Sequence, residues 1–501
     1  MESRGKASDV REVITFAVLT RVFVFGLMVL WRVLGHPYDT SALLNLPCLD
    51  PTSSTYFTPI LPELSKMLEK FIVWDAVYYI RIAECGYEYE QTFAFLPVFP
   101  LCIRFISRTV FYRLIPYLGY RATLSLAGLI LNFNFFIISA LFFYKVSDIV
   151  LKDKRQAYLS MALFCLNPAS IFYASIYSES LFSLLTFAGL LAYLHGARWR
   201  ASCLFAISGG VRSNGVVHGG FLVFNAIQEL LKAFYLRNWK VAVHTLYSAI
   251  IQTTIVLGPF VAFQTFGYMK LCWREESHME GNYARPWCSN RLPYLYGYVQ
   301  SHYWNVGFLR YFEAKQLPNF LLASPILSLA VASFISYVHH RPRFCLTLGL
   351  WIHQPVPERV VDKDEQFESD ESRLPGMSSK GTNIKHRLKF IRRISEGARI
   401  QEGTKENAFS YVGLITKGGF YSPLNFPILM EMAFMTLVAC FIMHVQVATR
   451  FLSICPPIYW FAAHLIQFHL KKRMFSHLIW GAFLFYVFLG SLLFVNFYPF
   501  T

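Results

Sequence analysis

Residues 72–87 read IVWDAVYYIRIAECGY. One carboxylate, Asp75, follows Trp74 and precedes Tyr78, Tyr79 and Arg81 in otherwise apolar surroundings. A carboxylate in a partly dry, aromatic-walled site is pushed toward its protonated form, and such a group can take a proton from an attacking hydroxyl. The same pattern suits an acid anchored among lipid headgroups. If 68–84 is a helix, Asp75, Tyr78, Tyr79 and Ile82 share a face, with Trp74 at the membrane interface. Arg81 then fits a surface pair with Glu84 or Glu88.

Three more stretches hold polar groups suited to an anion. Glu179 lies in IYSES, near Tyr173 and Tyr177. Arg212 and Asn214 lie in GGVRSNG (209–215), and Gln446 and Arg450 bound QVATR. An arginine among glycines is hard to explain by packing. Glycine allows close backbone approach, and guanidinium offers phosphate a forked set of donors. Arg450 could equally snorkel, and Glu179 could serve as a helix-end hydrogen-bonding group. Outside the charged tract described below there is no DxD, and there is no CxxC, GxGxxG or Walker loop. Neither a bound metal nor a soluble nucleotide is indicated.

The elements that position these residues are membrane spans. Of 501 residues 55% are apolar and 15% charged, and mean hydropathy is +0.40. Soluble chains carry about 25% charged residues. The composition therefore gives an all-α polytopic membrane protein. The net charge of +16 would suggest nucleic acid in a soluble chain. Here the basic residues flank apolar runs and read as orientation charges, so nucleic acid is not expected as a partner. Apolar runs at 12–34, 121–146, 156–175, 180–197, 241–266, 319–339, 425–445, 451–469 and 474–497 read as spans. The N-terminal run lacks a cleavage pattern and reads as a span that stays. A broken, re-entrant pair near 201–227 brings the expected total to about 9–11 helices.

With the N-terminus in the cytosol, the short basic loops fall on that side throughout. Asp75, Glu179, the GGVRSNG turn, the loop 267–318 and Arg450 then collect on the far side. The loop 267–318 is rich in aromatic residues, which suit either stacking on sugar or packing on the membrane. Cys272 and Cys288, sixteen positions apart, form the favoured disulfide in an oxidising compartment, with Cys48 and Cys85 on the same side. The stretch 93–108 reads as an amphipathic interfacial helix beside which a lipid substrate could pass. The organisation expected is a bundle over 1–352 with catalytic loops at 35–120 and 267–318, a charged, disordered cytosolic insertion at 353–408, and the remaining helices of the bundle at 409–501. The insertion contains RRIS (392–395), which has the form of a basophilic kinase site.

WDAVYYIRIAECGYEYEQTFAFLPVFP (74–100), NPASIFYASIYSESLF (167–182), GGVRSNG, RPWC (285–288), YWNVGFLRYF (303–312), PNFLLASP (318–325) and QVATRF with PPIYWF (446–461) together resemble the family of the second GPI mannosyltransferase. The match runs nearly the whole chain apart from about 353–408. The resemblance implies a GT-C-type fold in the endoplasmic reticulum membrane, with a lumenal active site. It implies dolichyl-phosphate mannose as donor, the mannosyl-glucosaminyl-phosphatidylinositol glycolipid as acceptor, and inverting α-1,6 transfer of the second mannose. No cofactor and no metal are implied. There is room for a small membrane subunit as partner. In this frame Asp75 is the base, and Trp74 and Tyr78 are walls of its pocket. Glu179, Arg212, Asn214, Gln446 and Arg450 bind donor or acceptor, with either arginine on the leaving phosphate. Two rivals remain: a GT-C enzyme of N-glycan assembly, and a lipid or solute transporter. No internal repeat supports the transporter.

Overall fold

The computed structural model describes residues 2–36, 38, 48–49, 59–273, 285–349, 418–468 and 473–498. Every regular element among them is helical. One compact unit comprises 1–342 with 418–501 and carries everything described below; a second covers 343–417. The tract 353–408, with RRIS, lies outside the described residues.

Among the described residues six helices are long and apolar enough to cross a bilayer: Ser8–Leu34, Tyr120–Leu151, Trp239–Trp273, Ala314–His340, Pro423–Phe441 and Met474–Val495. The chain is an all-α, multi-pass membrane protein. Three expected spans depart from what their hydropathy suggests. The run 156–175 divides into Lys154–Cys165 and Ser170–Ala174. The run 180–197 is Glu179–Leu194, 16 residues. The run 451–469 becomes one continuous helix only from Pro456, and the described part of that helix reaches Phe468. The 12-residue and 16-residue helices rise about 18–24 Å, short of a hydrocarbon core of about 30 Å. The causes are local. Asn167 Nδ2 donates to the Phe164 carbonyl at 2.7 Å and its Oδ1 accepts the Ala169 N–H at 2.8 Å, closing the first helix ahead of Pro168. Pro456 and Pro457 begin the last of these helices, where their missing N–H groups are not needed.

The irregular backbone between the short helices is satisfied by side chains from neighbouring spans. Buried Asn132 of Tyr120–Leu151 donates to the Ser175 carbonyl at 2.5 Å and the Tyr177 carbonyl at 2.7 Å. Buried Arg21 of the first span donates to the Cys165 carbonyl at 2.6 Å and the Ser170 carbonyl at 3.0 Å. Its guanidinium lies 3.8 Å from the Phe136 ring centroid. These donors replace water along 165–177.

The region near 201–227 is broken at the glycine turn. Arg198–Val211 ends at Arg212, which is extended (φ −144°, ψ 143°). A 3₁₀ turn, Ser213–His218, then leads into Gly219–Tyr235. A Cβ on Gly215 would lie 2.5 Å from the Gly209 nitrogen, so this return against the preceding helix needs glycine. Fully buried His218 pins the turn. Its Nδ1 lies 2.6 Å from Glu431 Oε1, and its Nε2 lies 3.0 Å from Thr186 Oγ1.

The helix expected over 68–84 is two helices, Pro62–Glu69 and Ala76–Cys85. Between them Trp74 takes a positive φ of 53°, which no helix accommodates. Arg81 pairs with Glu88 at 2.6 Å, but the pair is buried rather than on the surface. The element expected over 93–108 is a helix at Val98–Thr109, and Leu101 and Phe105 make its outward face apolar. Two disulfides, Cys48–Cys85 and Cys272–Cys288, brace this part of the molecule. Glu90 joins the two loop regions: Trp287 Nε1 donates to its Oε1 at 2.6 Å and the Tyr303 hydroxyl to its Oε2 at 2.9 Å.

Candidate active site

Asp75 stands at the end of the bend, as the residue that precedes Ala76–Cys85. Its backbone N–H donates to the Tyr177 hydroxyl oxygen at 2.9 Å. Its Oδ2 accepts from Arg450 Nη1 at 3.0 Å, and the carboxylate side chain stays 31% exposed. Arg450 belongs to the short helix Ala448–Leu452. Its guanidinium lies 5.3 Å from the ring centroids of both Phe172 and Tyr177.

Behind Arg450 lies Glu179, whose side chain is 1% exposed. Arg450 Nε lies 2.8 Å from Glu179 Oε1. The same oxygen accepts from Arg212 Nη1. One buried carboxylate oxygen thus holds two guanidinium groups, and one of these also holds Asp75. Burial by itself would lower the pKa of Arg450, but the Glu179 and Asp75 carboxylates outweigh it and raise the pKa. The guanidinium stays charged. Burial, reinforced by the Asp75 charge, pushes the Tyr177 phenol well above its ordinary value, so it stays protonated.

These groups face a cavity of about 480 Å³, within the range of small-molecule sites. Trp74, Asp75, Arg212, Asn214, Gln446 and Arg450 line it. Glu179 does not; it lies behind the arginines. Tyr78 is not a wall residue either. Its ring stacks on Phe95 with centroids 4.8 Å apart, and Phe95 forms the wall. Cys272 sits in the packed cluster behind the wall residue Leu96, with Cys288 against it.

The profile of the family described as Mannosyltransferase (PIG-V) matches residues 10–501. The chain belongs to the PIG-V mannosyltransferase family. It is 33% identical to GPI alpha-1,6-mannosyltransferase 2 of Mus musculus over 477 residues, covering 91% of this chain and 84% of that protein. It is 32% identical to the protein of the same name from Homo sapiens over 476 residues, with the same coverage. GPI mannosyltransferase 2 of Drosophila melanogaster is 27% identical over 468 residues, covering 85% of this chain and 86% of that protein. No solved structure matches the chain.

In this PIG-V mannosyltransferase, a carboxylate and two guanidinium groups share one cavity. Among the further wall residues, Tyr296, Gln300, Trp304 and His444 carry polar or aromatic groups that do not stand out in the sequence. Tyr296 and Trp304 belong to the aromatic loop 267–318, whose composition was the only signal. His444 gave none. Its ring stacks on Tyr311 with centroids 4.6 Å apart, and the Tyr311 hydroxyl donates to Gln446 Oε1 at 3.0 Å. The His218–Glu431 pair behind the glycine turn is not legible in the sequence either, because each residue looks isolated in its own segment.

Proposed function

We propose that this mannosyltransferase acts in GPI-anchor biosynthesis, moving mannose from dolichyl-phosphate mannose to the 6-hydroxyl of the mannosyl-glucosaminyl-phosphatidylinositol intermediate. The acceptor O6 bonds to the mannose C1 as the bond from C1 to the phosphate oxygen breaks. Asp75 takes the O6 proton, and the electron pair of the broken bond goes to dolichyl phosphate. The donor is a β-phosphate and the new linkage is α, so the reaction inverts at C1. Arg212 and Arg450 stabilise the charge that grows on the leaving phosphate, where preorganised donors have most effect. Asn214 and Gln446 bind sugar hydroxyls, with Trp74 as a wall. The fold is of the GT-C type, and the reaction occurs on the lumenal side of the endoplasmic reticulum membrane, an oxidising compartment that agrees with the two disulfides.

The observation that carries this reading is the meeting of one carboxylate and two arginines on a single cavity in a PIG-V chain. The test is expression in cells that lack the second GPI mannosyltransferase, with surface GPI-anchored proteins counted by flow cytometry. Wild-type chain restores them. A well-expressed wild-type chain that restores none would sink the assignment.

A further inference from the structure

The two arginines are not alternatives. Arg212 reaches the cavity from the turn that breaks the membrane helix pair, and Arg450 from a short helix late in the chain. Two guanidinium groups this close repel one another unless an anion lies between them. Glu179 supplies that anion from behind: Oε1 contacts both Arg212 Nη1 and Arg450 Nε. It stands at the start of Glu179–Leu194, where the helix dipole also favours a carboxylate. Its Oε2 is buried and has no hydrogen-bond partner among the described residues. Both arginines line the cavity and Glu179 does not.

We infer that Glu179 is a positioning residue that sets Arg212 and Arg450 as one clamp on a single phosphate group. This rests on the reading that a dolichyl phosphate leaves the site. The clamp closes on an anion held in the cavity, in front of the guanidinium groups, while Glu179 fixes their separation from the rear. A carboxylate that served only as counter-charge would behave in the opposite way. Its removal would make the site more cationic and tighten phosphate binding.

The test uses the full chain in membranes from cells lacking the second GPI mannosyltransferase, assayed with dolichyl-phosphate mannose. Dolichyl phosphate is the competing inhibitor, and neutral dolichol is its control. Glu179→Gln is expected to raise the inhibition constant of dolichyl phosphate about 10- to 100-fold, the worth of one charge-assisted contact. The dolichol value and the acceptor KM are expected to stay within about threefold. In an Arg212→Gln background, Glu179→Gln is expected to change the constant by less than about threefold, because the pair acts as a unit. Equal factors in both backgrounds, or tighter phosphate binding by Glu179→Gln, would overturn the clamp. If Glu179→Gln does not accumulate, Glu179→Asp, which keeps the charge but draws it back, is scored instead, and unchanged or tighter binding overturns the inference. A wild-type chain that transfers nothing from dolichyl-phosphate mannose overturns the donor reading and the clamp together, which separates that failure from the others.

Discussion

Arg450 Nη1 and Asp75 Oδ2 lie 3.0 Å apart in space and 375 positions apart in the chain. Neither group is solvated like a surface ion: Arg450 is 17% exposed and Asp75 31%. The contact brings a residue near the end of the bundle onto one near its start, and it holds the Asp75 carboxylate toward the cavity. Asp75→Asn keeps the shape and removes the proposed proton acceptor. Transfer is expected to fall about 100- to 10,000-fold, the usual worth of a general base. Protein level and both disulfides should be unchanged, checked by blotting under non-reducing conditions. Full restoration of surface GPI-anchored proteins by this variant would remove Asp75 from the chemistry.

Lysine cannot reproduce a forked donor. Arg450 contacts Asp75 through Nη1 and Glu179 through Nε, two directions that one ammonium cannot cover together. Arg450→Lys is expected to lower kcat over KM for the donor by about 10- to 100-fold, measured in a radiolabelled mannose transfer assay. Wild-type kinetics in this variant would contradict the role given to the guanidinium.

Gly215 and Gly220 make a matched pair. A Cβ at 215 meets the backbone of Ser208 and Gly209, whereas a Cβ at 220 meets nothing within 4 Å. Gly215→Ala is expected to cost about 1–3 kcal/mol of stability through overpacking and to displace Arg212. Gly220→Ala should be neutral or mildly stabilising. Melting followed by fluorescence-detected size exclusion distinguishes them; equal effects would contradict the close approach.

His444 links the cavity to pH. Burial lowers its pKa below the ordinary 6.5, with a hydrogen bond to the Trp304 backbone pulling the other way. The folded chain therefore binds this proton less readily than the unfolded chain does. The stability it contributes is present above pH 6.5 and is lost as pH falls through the lowered folded value. The melting temperature of the wild type is expected to drop as pH falls below 6.5, with a shallower drop in His444→Gln. Identical slopes in the two proteins would assign the acid loss to other groups.

The legible parts of the site were its charges. In an apolar chain Asp75, Glu179, Arg212 and Arg450 stand out, and assigning loops to sides of the membrane grouped them before any geometry was known. Trp304, Tyr296 and His444 were not legible, because an aromatic ring or a lone histidine has the same sequence signature on a cavity wall as in ordinary packing. The ends of several expected spans were not legible for a related reason: hydropathy measures composition, whereas Asn167–Pro168 and Pro456–Pro457 set where helices stop and start. The bend at Trp74 had no glycine or proline to announce it. It arises from tertiary contacts, among them the hydrogen bond from Trp74 Nε1 to the Phe494 carbonyl at 3.1 Å.

Arg21 and Asn132 both precede the irregular backbone whose carbonyls they satisfy. During synthesis the donors therefore leave the ribosome before their acceptors do. The stretch 165–177 cannot be stable alone in lipid, and it emerges only after the two spans that shelter it. For this stretch, synthesis from the N-terminus is thus also a workable order of assembly, in which the broken segment meets prepared partners.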